Sequence, residues 1–123
     1  AAPPPASVGA AMKALEIVER EPERRKQLWE NTAYMKRELD NLGFDTGDSD
    51  SPIIPLVVGD DLVAFMMAVR LQELGLFVNP VITPAVPAGR AMIRTSYMAT
   101  HTREHLDRAL AALSKVGRDL GVL

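Results

Sequence analysis

The amino-acid sequence predicts one compact α+β domain. Segments in which apolar residues recur at helical spacing alternate with short apolar segments typical of strands. The predicted order of elements is helix, helix, strand, helix, strand, strand, helix. The chain has 123 residues, 47% of them hydrophobic, which is enough for one core but too few for two.

Helical spacing covers residues 7–42 and is interrupted once. Pro22 removes a helical hydrogen bond and clashes with the preceding turn, so we expect one helix ending near Arg20 and a second starting at Pro22, or a single kinked helix. Gly43 is expected to form the C-terminal cap. The apolar stripes are Met12, Leu15 and Val18, then Leu28, Met35, Leu39 and Leu42.

Residues 53–58, "IIPLVV", form a nearly continuous apolar run, which predicts a short strand buried on both faces. Asp60 or Asp61 is expected to cap the next helix, and Gly75 to end it. That helix carries one apolar face at helical spacing, typical of a helix that packs on a core. The face consists of Leu62, Phe65, Met66, Val69 and Leu74.

The last third of the chain predicts two strands and a helix. "LFVNPVI" is interrupted by Pro80, so this strand should lie at a sheet edge or end there. "TPAVPAG" is a stiff loop, and "AMIRTSYM" is the next strand. In that strand Ile93, Thr95 and Tyr97 should face one way, and Met92, Arg94, Ser96 and Met98 the other. Thr102 should cap the final helix. The leucines expected to pack on the sheet are Leu106, Leu110, Leu113 and Leu120.

Composition disfavours several classes of function. The net charge of −2 gives no basic field for a phosphate backbone, so we expect no nucleic-acid partner. The absence of cysteine excludes disulfides and thiolate metal sites. No apolar run approaches the roughly 20 residues of a membrane helix, and "AAPPPASVG" lacks the pattern of a signal peptide. We therefore expect a soluble protein. The six methionines, the acidic balance and the lack of cysteine suit a reducing compartment, so we expect it to be cytoplasmic. Because the sequence has no initiator methionine and opens with the extended "AAPPPAS", we expect it to begin within a larger chain.

Two candidate metal sites are weak. His101 and His105 are four residues apart with Glu104 between them, but His101 precedes the predicted cap and no third ligand is indicated. A solvent-exposed start of the final helix explains all three of these side chains. Residues 45–50 form an acidic loop, but it lacks the downstream glutamate and the glycine spacing of a calcium-binding loop. We predict no metal site.

Arg94 is the residue that most needs an explanation. It is a charged side chain in a strand of apolar and small residues, and we expect it to be partly buried. A buried guanidinium needs an acceptor, and its geometry matches a carboxylate through two parallel hydrogen bonds. The partner could be one of the sixteen acidic side chains of the chain itself or a bound anion, and the pattern leaves both open.

Three longer segments resemble one family. "GFDTGDSDSPIIPLVVGDD", "ELGLFVNPVITPAVPAG" and "AMIRTSYMATHTREHLDRAL" are similar, in order and spacing, to the C-terminal part of the α-oxoamine synthases. These pyridoxal-phosphate enzymes condense an amino acid with an acyl thioester. The resemblance covers nearly the whole chain and is strongest to the 8-amino-7-oxononanoate synthase and glycine C-acetyltransferase branches.

The resemblance implies a fold and a domain division. The fold would be the small C-terminal domain of a fold-type I pyridoxal-phosphate transferase, with a short antiparallel sheet and helices packed on one face. Residues 1–21 would link to, or pack on, a large domain outside this chain, and residues 22–123 would form the small domain. The parent enzyme would be a homodimer.

The resemblance also implies site residues. Arg94 would bind the substrate carboxylate, and Thr83, Pro84 and Val86 would line the mouth of the substrate site. The substrates would be an acyl-CoA or acyl carrier and a small amino acid. The lysine that holds pyridoxal phosphate would lie outside this chain, which would contain no catalytic or cofactor-binding residue and be inactive alone. The alternative is a non-catalytic module that binds a small carboxylate or a protein partner.

Overall fold

A computed structural model describes residues 2–123 and confirms the predicted class and element order. The elements are α1 (Pro5–Arg20), α2 (Pro22–Leu42), β1 (Ile53–Gly59), α3 (Asp61–Glu73), β2 (Asn79–Val81), β3 (Ala91–Ser96) and α4 (Arg103–Asp119). Within residues 2–123, no helix has both the length and the apolar character needed to cross a bilayer.

The first two helices are separate, which decides between the two alternatives for residues 7–42. Glu21 leaves helical geometry at the junction, and Pro22 begins α2. Side-chain hydrogen bonds from Arg24 and then Arg20 lower the pKa of the Glu21 carboxyl. Gly43 ends α2 in the left-handed conformation, with φ of 100°, as predicted. No residue of α1 is buried, and the helix that α1 contacts most is α2.

The three strands form one antiparallel sheet in the order β1-β3-β2. β2 is an edge strand and contains Pro80, as the proline predicts. β1 is the other edge strand, and the prediction that it is buried on both faces is wrong. Ile54 and Leu56 are fully buried, but Ile53 is 43% exposed. Within the described residues 2–123, no layer covers the second face of the sheet, so only alternate residues of β1 enter the core.

α3 packs on the sheet through the face opposite to the predicted one. Asp60 is the N-cap, and its carboxylate accepts hydrogen bonds from the backbone N–H groups of Leu62 and Val63 at 2.8 and 3.0 Å. The predicted face, Leu62, Phe65, Met66, Val69 and Leu74, is exposed. The residues buried against the sheet are Ala64, Met67 and Leu71. Both sides of this helix are apolar, so spacing alone does not identify the packed side.

α4 closes the core against α2 and α3. Thr102 caps it as predicted, in a reciprocal pair with His105. Leu106 and Leu113 are buried, and the other two predicted leucines are partly buried against the same core. At the surface, the Tyr34 hydroxyl of α2 donates to Asp107 of α4 at 2.5 Å.

Candidate functional site

The helices cover one face of the sheet and leave the other, here called the open face, uncovered. Ala91, Ile93 and Thr95 are buried towards the helices, whereas Arg94 and Ser96 are exposed on the other side. The predicted alternation of β3 is therefore confirmed. Because β3 lies between two edge strands, its outward side chains occupy the middle of the open sheet face.

Strand register defines the residues of this open face. Pro55 of β1 and Asn79 of β2 lie directly opposite Arg94, one on each side. Paired residues of antiparallel strands point to the same face. The open face consists of Ile53, Pro55, Val57, Asn79, Val81, Met92, Arg94 and Ser96. It contains one cation and no acidic side chain.

Arg94 is exposed, and the expectation that it is partly buried is wrong for this chain. The cause is the same uncovered face that exposes Ile53. Within residues 2–123, Arg94 takes part in none of the ion pairs, so an internal salt bridge does not account for it. A guanidinium on a sheet face without acidic side chains can bind a carboxylate through two parallel N–H donors.

The predicted mouth loop connects β2 to β3 at one end of the open face. Thr83 and Pro84 are exposed and Val86 is half-buried. The loop begins as a turn, in which the backbone N–H groups of Ala85 and Val86 donate to the Ile82 carbonyl at 2.9 and 3.3 Å. The loop starts after Val81, which is paired with Met92 of β3. Arg94 is two residues further along β3 than Met92, so it lies about 7 Å along the strand from this end of the loop.

The lysines lie away from the open face. Lys13 and Lys36 are paired with acids on their own helices at 2.7 and 2.8 Å, and Lys26 lies 3.8 Å from Glu30. Lys115 is exposed on α4. Within residues 2–123, no group of three or more His, Cys, Asp or Glu side chains is placed to hold a metal ion.

The sequence analysis did not predict a groove that lies on the helix side of the sheet. It is an open groove of about 620 Å³ between α4 and residues 74–78. His101 lies in it, and burial, followed by the charge of His105, lowers the pKa of His101. Burial raises the pKa of Tyr97, another lining residue, to about 12. No sequence signal marked this groove, because its walls come from segments far apart in the chain.

Comparison with known proteins defines the class. Residues 1–113 match the family described as aminotransferase class I and II, and the chain belongs to that family. It is 52% identical, over 98% of its length, to an 8-amino-7-oxononanoate synthase of Symbiobacterium thermophilum. It is 50% identical to an 8-amino-7-oxononanoate synthase/2-amino-3-ketobutyrate coenzyme A ligase of Thermus thermophilus. The chain spans 31% and 30% of the lengths of these relatives.

Solved structures show the same fold. A serine palmitoyltransferase from S. paucimobilis with a bound PLP-myriocin aldimine matches all of this chain with a TM-score of 0.93 and 32% sequence identity, over 31% of its own length. The similarity to α-oxoamine synthases and the fold-type I assignment are therefore confirmed.

Proposed function

We propose that this chain is the C-terminal part of a pyridoxal-phosphate-dependent acyltransferase, which condenses an acyl-CoA or acyl carrier with a small amino acid to give an α-oxoamine. Within it, Arg94 binds the carboxylate of the amino acid. The observation that carries the proposal is an exposed arginine without an ion-pair partner within residues 2–123, at the centre of an acid-free sheet face.

The geometry of the Arg94 guanidinium suits this role. Two parallel hydrogen bonds from a guanidinium fix both the position and the plane of a carboxylate. Two such charge-assisted bonds contribute on the order of 3–6 kcal/mol before desolvation is subtracted. Fixing the carboxylate orients the neighbouring bonds of the amino acid, which is a positioning contribution to catalysis.

We assign the cofactor to the part of the enzyme outside this chain. Pyridoxal phosphate, when bound, supplies an electron sink for a carbanion. The four lysines of the chain lie on helices away from Arg94, and three of them have an acidic neighbour on the same helix. The chain therefore contributes substrate binding, and it is expected to be inactive without the rest of the enzyme.

We further propose the domain division at residue 21. α1 has no buried residue, and its apolar side chains Met12, Leu15 and Val18 are 61%, 66% and 44% exposed. An exposed apolar stripe on a helix suits packing against another surface, which we assign to the large domain. The homodimer, the mouth-loop roles of Thr83, Pro84 and Val86, and the cytoplasmic location stay predictions from the family resemblance.

The rival function is a non-catalytic module that binds a carboxylate or a protein. It predicts a self-contained domain in which Arg94 is buried and internally paired. The exposure of Arg94, and the apolar surfaces of α1 and α3, argue against that rival.

The test uses the complete enzyme that contains this chain, with Arg94→Ala and Arg94→Lys. Removal of the charged partner should lower kcat/KM for the amino acid by about 30- to 1000-fold, which corresponds to 2–4 kcal/mol. Lysine, a single point charge, should recover only part of this loss. Arg70→Ala is the control, because Arg70 is exposed on α3 and lies 3.9 Å from Asp119. Unchanged amino-acid affinity and turnover in Arg94→Ala, with cofactor still bound, would refute the carboxylate role.

A further inference from the structure

Asn79 lies beside Arg94 on the open face. The two residues are Cα partners in the β2–β3 ladder, so their Cβ atoms are about 4.5–5.5 Å apart. The Asn79 side chain is half-buried, and it makes no hydrogen bond to another residue within the described range 2–123. Asparagine is disfavoured in strands, so its placement here is not explained by strand formation.

A carboxylate held by Arg94 needs more donors than Arg94 provides. A carboxylate has about four acceptor positions, and a bidentate arginine fills two of them. The remaining positions lose water when the open face is covered, and an unsatisfied charged acceptor is costly. A further donor on the same face would satisfy one of these positions.

Of the eight residues on the open face, two besides Arg94 carry side-chain donors, Asn79 and Ser96. Ser96 is two residues along β3 from Arg94, at about 7 Å, and its partner is Ile53. Asn79 is closer, because it lies directly across from Arg94. Its amide also adds a donor without adding charge, so the site keeps one cation for one carboxylate.

We propose that Asn79 is a second substrate-contact residue, whose side-chain amide donates a hydrogen bond to the carboxylate that Arg94 binds. This inference rests on the proposed function of Arg94. It predicts that Asn79 favours substrates with a carboxylate over amines that lack one, because its hydrogen bond is made only to that group.

The experiment uses the complete cofactor-loaded enzyme and two probes, the amino-acid substrate and its decarboxylated amine. Binding of each is followed through the absorbance of the cofactor. Asn79→Ala should weaken amino-acid binding about tenfold, and binding of the amine should be unchanged. Asn79→Asp should weaken amino-acid binding more, by roughly 100-fold, because its carboxylate would pair with Arg94. Val81→Ala is the matched control, since it shortens the next open-face residue of the same strand.

Equal weakening of both probes by Asn79→Ala would mean that the variant disturbs the edge strand, and would overturn the inference. If Asn79→Ala binds both probes normally while Arg94→Ala loses amino-acid affinity, the inference fails and the proposed function stands. If Arg94→Ala itself binds the amino acid normally, the proposed function fails, and the role of Asn79 fails with it.

Discussion

Asn31 joins α2 to the turn that precedes α4, and its removal should destabilise the chain. The side chain is 6% exposed. Its Nδ2 atom donates to the carbonyl oxygens of Met98 and His101 at 3.0 and 2.9 Å, and its Oδ1 atom accepts from Gln27 at 3.0 Å. Two of these bonds connect segments 67 and 70 residues apart, so they hold tertiary structure.

Asn31→Ala removes both donors and leaves two carbonyls without that partner. Each net hydrogen bond contributes about 0.5–1.5 kcal/mol, and a carbonyl left unsatisfied in a buried position adds to the loss. We expect the free energy of unfolding to fall by about 2–4 kcal/mol. For a domain of this size the Tm should fall by roughly 10 °C.

The measurement is urea unfolding of the chain, followed by far-ultraviolet circular dichroism, with thermal unfolding in parallel. Gln27→Ala is the control, because it removes one bond and leaves both carbonyls with Asn31; its cost should stay below about 1 kcal/mol. The reasoning is refuted if Asn31→Ala and Gln27→Ala lose the same stability, or if neither loses any.

Two further predictions concern pH and association. Burial and then the charge of His105 lower the pKa of His101, and its Nδ1 atom accepts from the Met98 N–H at 3.3 Å. The unfolded chain therefore takes up this proton first, and the unfolding free energy should decrease as pH falls below about 6.5 and through the lower folded pKa; His101→Gln should flatten that dependence. Leu15→Glu, in the exposed stripe of α1, should reduce self-association and hydrophobic-dye binding of the chain in light scattering and fluorescence. Unchanged association would contradict the assignment of that stripe as a packing surface.

Local signals in the sequence predicted the elements and their ends. Pro22, Gly43, Asp60 and Thr102 act within one turn of the chain, so their effects are readable without tertiary structure. The alternation of β3 is equally local, and it placed Arg94 on the face opposite Ile93 correctly.

The features that the sequence could not reveal depend on how the helices pack on the sheet. α3 has apolar residues on both sides, and only packing selects the side with Ala64, which lets the helix approach the sheet. The exposure of Arg94 follows from which sheet face the helices cover, a choice made by the whole fold. The pairing of Asn79 with Arg94 depends on hairpin register across the loop, and neither residue signals it alone.

The strand order has a consequence for how the chain folds during synthesis. β1 and β2 do not pair with each other, and the strand that joins them is β3, the last to be made. Val57 of β1 also forms an isolated bridge with Asp45, but neither strand pair of the sheet can form until residues 91–96 are available, although α1, α2 and α3 precede them. A nascent chain halted before Ala91 would carry helices and two unpaired strands. Emergence of a single hexapeptide should convert it in one step to the three-stranded sheet.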